Sequence, residues 1–445
     1  MFIGTFNEIL NYLEEVIRGS KYEGHVFAVG GCCRDYKKNR EIKDIDLVVD
    51  LPNGGIEFAK WLFESDLLMY EPVVYEHFGT AMFHLREFSD IELEAVQTRK
   101  ESYRDIETRN PETAFGTIMD DCTRRDFTYN AIYYNISGKE FCDYNGNSFK
   151  DLEDNILRTC GEPDVIFHED PLRILRAVRF MSRFGSTIEK ETFEGMKRNV
   201  DRLSIISRER IHDEFMKMCE HYSPTKIMDA FFVLWDIGAF KYIIPYLGTF
   251  GHKDVYYFTK GIYEFMGKFG KKNISMEWLF ATMLYNDPDV EQELRDLKCC
   301  NDFIDEVLFL IRTNKEYDEA FGKCIEDGDF EPTFLFRKYA HICGSRSRMM
   351  AMLSCGGVLS DYFFDWDEED GYFFDVLSLT EHKFYEYELP VDGGDVMEVF
   401  GIGPSKKVGD TLKKLWNFVF VNPDKCGRED VMNFLKYLKN ENGNN

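Results

Sequence analysis

Basic residues are the scarce class in this sequence: 54 Lys and Arg stand against 80 Asp and Glu, a formal net charge of −26. That imbalance opposes a reading as a non-specific polyanion binder, because long-range repulsion slows encounter with nucleic acid or acidic membranes. It leaves room for a local basic surface, since charges are screened over about 8 Å at physiological salt. "QTRKESYR" (97–104), "KRNVDRLSIISRER" (197–210) and "KKVGDTLKK" (406–414) are basic runs, while "DYFFDWDEEDGYFFDV" (361–376) concentrates acid. Each basic run also reads as a plain solvated helix or loop face. The 12 cysteines fall singly or in the adjacent pairs Cys32/Cys33 and Cys299/Cys300, with no CxxC and no Cys/His zinc spacing. A reduced, cytoplasmic protein is the simplest expectation. No apolar run approaches the ~18 residues of a membrane span, so no membrane partner is expected. GxSxG, P-loop and GxGxxG-plus-acid patterns are missing as well.

What is present is ample core-forming material. Hydrophobic residues make up 44% of 445 residues, with 40 Phe and 24 Tyr, which rules out a disordered chain and predicts two to four units. Only the closing "KNENGNN" reads as frayed. The opening "MFIGTFNEILNYLEEV" carries Glu8, Glu14 and Glu15 on an amphipathic helical pattern, unlike a signal or transit peptide. "HVFAVGG" and "DIDLVVD" read as short buried strands, "NGGIEFAKWLFESD" as a helix, and "TAMFHLR" and "DIELEAVQTR" as a further strand pair. This alternation predicts an α/β unit. From residue 151 onward, "EDPLRILRAVRFMSRF", "RERIHDEFMKMCE", "PTKIMDAFFVLWDIG" and "VEQELRDLKCC" repeat apolar residues at helical spacing.

The chemistry gathers near the start. Asp44 and Asp46 stand two apart on a predicted strand, so both side chains point to one face. Two carboxylates so placed repel unless a cation lies between them, and Mg²⁺ suits the pair when substrate phosphates complete its ligands. A bare exposed strand face is the alternative. Gly30 and Gly31 follow an apolar strand, so backbone amides can approach a triphosphate with no Cβ in the way. Arg34 adds a forked donor for phosphate, and Glu94, on a later strand, places a third acid beside the pair. Three acids, a glycine turn and an arginine on adjacent strands describe a two-metal site for nucleotidyl transfer.

"GGCCRDYKKNREIKDIDLVV", "RRDFTYNAIYYN", "DYNGN", "EDPLRILRAVRF" and "ISRERIHDEF" occur between residues 26 and 215 in the order and spacing of motifs of one superfamily. The sequence thereby resembles the class II tRNA nucleotidyltransferases, the CCA-adding enzymes, and the bacterial poly(A) polymerases. "GGDVMEVFGIGPSKKVGDTLKKLWNFVF" also looks like the tail of CCA-adding enzymes. The resemblance implies an α+β fold: an N-terminal, polymerase-beta-like mixed-sheet nucleotidyltransferase head (1–140), then a helical neck (141–220), body (221–345) and tail (346–445). It implies tRNA as acceptor, CTP and ATP as substrates, and Mg²⁺ as cofactor. Asp44 and Asp46 match the metal-binding aspartates and Glu94 the acid that assists them; Gly30, Gly31 and Arg34 match the phosphate turn. Arg125, Asp126 and Asn130 match residues that hold ribose and triphosphate, where a helix start with a salt bridge is the alternative.

"EDPLR" carries the base choice. Asp170 and Arg173, three apart on an expected helix, are neighbours on one face, and Pro171 suits its first turn. The aspartate accepts from the exocyclic amine of cytosine or adenine while the arginine donates to the adjacent ring atom. Uracil and guanine set a carbonyl against that acceptor, at a cost of about 1–3 kcal/mol. The alternative is a surface ion pair. Glu169 and Arg176 are expected to orient the pair.

Some positions depart from the family pattern. Lys37, Lys38 and Asn39 suggest an exposed loop with Asn39 left-handed, Tyr129 replaces an aliphatic residue, and Asn147 replaces a glycine in the hinge. His212–Asp213 looks like a metal dyad on paper, but no further histidines gather with it. The rivals are a poly(A) polymerase, expected to end in a basic extension, and CC-only or A-only enzymes. An intact loop over "KESYRDIETRNPETAFGTIMD" (100–120) favours full CCA addition over the latter two. A scaffold that binds RNA without catalysis is the non-enzymatic rival, and the retained acids argue against it.

Overall fold

A computed structural model of the protein describes residues 3–76, 79–102, 112–219, 224–251, 253–256, 258–260, 262, 275–326, 332–357 and 387–442. The acidic segment 361–376 and the central part of the 100–120 loop, residues 103–111, lie outside the described residues. The chain forms two compact units, residues 1–248 and 249–445.

In the first unit, helix α1 (Ile3–Ile17) buries Phe6, Ile9, Leu10, Leu13 and Ile17, a stripe at helical spacing. The strands are β1 (Val26–Val29), β2 (Ile45–Val49), β3 (Val73–Tyr75), β4 (Thr80–His84), β5 (Glu92–Gln97), β6 (Arg99–Ser102), β7 (Glu112–Phe115), β8 (Tyr133–Asn135) and β9 (Glu140–Cys142). Seven form one sheet in the order β3-β4-β5-β2-β1-β8-β9, and β6 pairs with β7 apart from it. The expected alternation of strands and helices is present, but the pairing is mixed: β2 runs parallel to β5, while β1 is antiparallel to both β2 and β8.

Helix α2 (Gly31–Lys37) follows β1 directly, and α3 (Gly54–Glu64) follows β2. α3 covers one face of the sheet, where Phe58 meets Phe83 edge-on. Gly55 makes this approach possible: a Cβ there would lie 2.5 Å from the Ala95 carbonyl oxygen. The other face is packed near β1 and β8 by Phe27, Val29, Val48, Tyr133 and Cys122, the last from α4 (Ile118–Thr123). Towards β5 the same face is open, with Glu92 and Glu94 exposed.

Beyond the sheet the chain is helical: α5 (Ser148–Glu153), α6 (Pro163–Glu169), α7 (Leu172–Phe184), α8 (Lys190–Asn199), α9 (Arg208–Cys219) and α10 (Pro224–Asp236). α7 buries Leu172, Ile174, Leu175, Val178 and Phe180 and stops at Gly185, whose φ of 67° closes the helix. Tyr129 fills the place of an aliphatic residue by packing edge-on to Phe180 and Phe184. Asn39 is left-handed as expected (φ 53°), but α2 runs through Lys37, so the expected exposed loop is shorter. Lys37 lies over the rings of Phe141 and Phe149.

The second unit is helical in its described parts. It includes Met276–Met283, the long Asn301–Glu326, Pro332–Cys343, Arg346–Gly357, Gly393–Phe400, Lys406–Val421 and Arg428–Asn442. The described cysteines are all free, and among the described residues no helix is long and apolar enough to cross a membrane.

Candidate active site

Strand register assembles the acids. Val29 pairs with Asp46 across β1–β2, Asp46 with Glu94 across β2–β5, and Glu94 with Met82 across β5–β4, so these side chains share one face. Asp46 therefore stands where the packed half of that face gives way to the open half. Asp44 lies one residue before β2 rather than in it and is exposed. Burial pushes the Asp46 carboxyl up, Arg125 opposes this, and Asp44 adds to it. Glu94, though exposed, is also raised by the water that its place against the sheet keeps from it, reinforced by Asp46 and Glu92 and opposed by Arg99. Such raised values mark negative charge that the protein itself leaves undercompensated.

A hard divalent cation fits this donor set. Among the described residues no three His, Cys, Asp or Glu side chains close on one point as a ready cage. Mg²⁺ does not require one, because it is commonly held by one or two carboxylates with substrate phosphates and water completing the octahedron. His212–Asp213 falls on α9 and joins no metal cluster among the described residues.

Gly30 adopts φ 82° and ψ −131°, a conformation that glycine alone adopts readily. A Cβ at this position would lie 3.5 Å from Oδ2 of Asp46 and 3.9 Å from Nη1 of Arg125. The missing side chain thus keeps the space between the carboxylate and the guanidinium open. Gly31 begins α2, with Arg34 Nη2 3.7 Å from where its Cβ would be.

Arg34 is buried and already engaged. Its Nε and Nη2 donate to the two carboxylate oxygens of Asp35 (2.9 and 2.8 Å), its Nη1 donates to Oδ1 of Asn130 (2.6 Å), and its guanidinium lies over Phe184. Asn130 in turn donates from Nδ2 to Oδ1 of Asp126 at 3.1 Å. Arg176, from α7, donates to Oδ2 of Asp126 through Nε and Nη2 (3.0 and 2.6 Å). Burial alone would raise Asp126, but Arg176, Asn130 and Arg173 outweigh it and hold the carboxyl at about 2.

Arg125 is aimed by a residue the motif reading passed over. Asp121, fully buried on α4, accepts from Nε of Arg125 (3.0 Å) and from the Tyr133 hydroxyl (2.8 Å), and it also pairs with Arg124. Burial works against this charge, yet Arg125, Arg124 and Tyr133 hold Asp121 at about 2. The signal was available four residues before Arg125, the i,i+4 spacing of a helical ion pair. Thr117 caps α4 reciprocally with Asp120, which fixes the start of that helix.

The base-reading pair is where the structure departs most from expectation. Asp170 is not on a helix with Arg173: α6 ends at Glu169, α7 begins at Leu172, and Asp170 has extended torsions between them. The residue before a proline is sterically pushed out of the helical region, so Pro171 breaks the helix at Asp170 rather than simply starting it. The Arg173 guanidinium is engaged by other groups. It donates to the carbonyl oxygens of Ile166 (3.1 Å) and Arg124 (2.7 Å) and to Glu169 (3.4 Å), clasping the Arg124–Asp126 turn to α6. Asp170 instead meets Leu172 N–H and Arg210 of α9. Asp35, Asp121, Arg210 and Glu214 are thus the site neighbours that sequence reasoning did not single out.

A mixed sheet bearing paired acids beside a glycine turn, continued by helices that enclose an arginine–aspartate cluster, defines a nucleotidyltransferase. Residues 26–158 match the family described as the poly A polymerase head domain, and residues 185–250 match the probable RNA and SrmB-binding site of polymerase A. The CCA-adding enzyme of Staphylococcus saprophyticus is 30% identical over 307 residues, 68% of this chain and 69% of that one. That of Ligilactobacillus salivarius is 27% identical over 416 residues, 92% of this chain and 91% of the other. The tRNA nucleotidyltransferase cca1 of Schizosaccharomyces pombe is 31% identical over 249 residues, and the match spans about half of that protein (48%). The Thermotoga maritima CCA-adding enzyme, solved in complex with tRNA, superposes with a TM-score of 0.68 at 21% identity, covering 97% of this chain and 94% of that one, a likeness of fold. The chain belongs to the family of CCA-adding tRNA nucleotidyltransferases and poly(A) polymerases.

Proposed function

We propose that this nucleotidyltransferase adds or repairs the 3′-terminal CCA of tRNA from CTP and ATP, without a nucleic-acid template and with release of pyrophosphate. The observation that carries the reading is the row Asp46–Glu94 on the open sheet face beside the Gly30 turn, with its negative charge undercompensated. Two extensive curated matches, both named CCA-adding enzymes, support the choice of reaction.

In this reading Asp44 and Asp46 would hold Mg²⁺ with Glu94 beside them, and the metal would supply Lewis-acid activation of the attacking hydroxyl and neutralise charge on the departing pyrophosphate. The RNA 3′-oxygen forms its bond to the α-phosphorus as the bond to pyrophosphate breaks, and the hydroxyl proton leaves to solvent. Gly30 and Gly31 let the backbone approach the triphosphate, while Arg125 and Arg34 bring positive charge to it. Asp126 and Asn130 hold the ribose, and Arg176 keeps Asp126 ionised and in place. Asp170 accepts from the amine of cytosine or adenine, and Arg173 supplies the adjoining donor. The same reading divides the chain into head (1–140), neck (141–220), body (221–345) and tail (346–445), with the exposed Lys406, Lys407, Lys413 and Lys414 of one tail helix meeting RNA phosphate.

The test is product sequencing after incubation of the protein and Mg²⁺ with tRNA transcripts ending before CCA, after C and after CC, with each nucleotide singly and together. Completion of CCA followed by a stop is expected, and the Asp44→Ala/Asp46→Ala double variant is expected to be inactive. A long A tract would instead assign a poly(A) polymerase, the activity named in the head-domain match. Activity retained in the double variant would refute the assignment of the acids.

A further inference from the structure

Asp170 occupies the step between α6 and α7 with φ −135° and ψ 95°, so no helix sets the direction of its side chain. Contacts from different elements do so, among them Oδ1 accepting from the Leu172 N–H at 3.3 Å and Oδ2 accepting from Nη2 of Arg210 at 3.1 Å. Arg210 lies in the first turn of α9, 40 residues along the chain. One turn further on the same helix, Glu214 reaches Arg179 (2.5 Å) and Arg176 (3.7 Å).

The two contacts of α9 differ in kind. Glu214 and Arg179 are both buried, as befits a brace between packed helices. Arg210 and Asp170 retain side-chain exposures of 45% and 29%, and an ion pair that open to solvent adds little to stability. What it supplies is direction. A carboxylate held at both oxygens is restrained from turning its plane, and its remaining lone pairs keep one aim.

We infer that Arg210 is a positioning residue for nucleobase choice. By holding Oδ2 it keeps the Asp170 carboxylate where an exocyclic amine of cytosine or adenine finds an acceptor, and where the carbonyl of uracil or guanine meets repulsion. The inference rests on the reading of Asp170 as the group that meets the base. Without Arg210 the carboxylate turns about its side-chain bonds, the acceptor is no longer fixed, and the penalty against uracil and guanine shrinks.

The test measures kcat/KM for CTP, ATP, UTP and GTP in single additions to tRNA transcripts. It compares the wild-type chain with Arg210→Met, Arg210→Lys, Asp170→Asn and the Arg210→Met/Asp170→Asn double variant, with a thermal melt of each as a control on folding. Discrimination of CTP over UTP is expected to fall about tenfold in Arg210→Met, the order of one hydrogen bond to a charged group. Arg210→Lys is expected to restore most of it. Adding Arg210→Met to Asp170→Asn is expected to cause no further loss, because both act through one carboxylate. A uniform fall in rate with all four nucleotides at an unchanged ratio would reveal a mere brace and overturn the inference. So would an unchanged ratio in Arg210→Met beside a collapsed one in Asp170→Asn. If Asp170→Asn also leaves the ratio intact, the base-reading assignment fails first and the role of Arg210 falls with it.

Discussion

Asp121, Asp126, Asp46 and Glu94 divide into two groups by the sign of their shift. Asp121 and Asp126 are held at about 2, below the ordinary 3.8, by the arginines around them. Their contribution to stability is complete above pH ~4, where the unfolded chain is also ionised, and is lost as pH falls towards 2. Thermal melts between pH 5 and 2 should therefore show a steep fall that flattens in Asp121→Asn. At neutral pH that variant leaves Arg124 and Arg125 without their buried counter-charge and should cost about 3–5 kcal/mol in urea unfolding. Asp46 and Glu94 go the other way: desolvation raises both, so ionising them opposes folding at neutral pH. Asp46→Asn is expected to raise the Tm of the metal-free protein while lowering turnover by at least about 10²-fold. Mg²⁺ should raise the Tm of the wild-type chain and leave that of Asp46→Asn nearly unmoved, as calorimetry with added MgCl₂ would show.

At the scale of elements, close packing and helix breaks decide what the site residues can reach. The contact of α3 with β5 depends on Gly55, so Gly55→Ala, pressed 2.5 Å from a carbonyl oxygen, should destabilise by about 1–3 kcal/mol through backbone displacement. Strand positions for β1, β2, β4 and β5 were legible because short apolar runs with sharp flanks leave few other conformations. Asp46 was legible as a strand residue for the same reason, whereas Asp44, expected on the same strand, lies one residue before it. The break at Asp170 was harder to see. "EDPLRILRAVRF" has helical periodicity throughout, and Pro171 is compatible with a first turn. Only the observed torsions separate Asp170 from the helix that carries Arg173, and with that separation the two side chains go to different partners.

On the scale of the whole molecule, a chain of net charge −26 must, on the proposed reading of an RNA substrate, confine its positive charge to particular surfaces. Lys406 and Lys413, and Lys407 and Lys414, are two turns apart on one helix, and all four are exposed while Thr411, Leu415 and Val419 are buried. Replacing the four lysines by Gln should weaken tRNA binding and reduce the slope of log K against log salt by up to about 3, with little change in turnover of saturating substrate; filter binding across a salt series would show it.

The sequence by itself determined the residue types of the chemistry, their order along the chain, and the local periods that make strands and helices, because those depend on neighbours a few positions away. The mixed sheet order, the adjacency of Asp46 and Glu94, the run from Arg34 through Asn130 and Asp126 to Arg176, and the reach of Arg210 to Asp170 were decided by tertiary structure. The physical reason is range. A hydrogen bond acts over about 3 Å, and whether residues 40, 50 or 96 positions apart come that close is set by how the sheet and helices pack. No spacing within a motif encodes it.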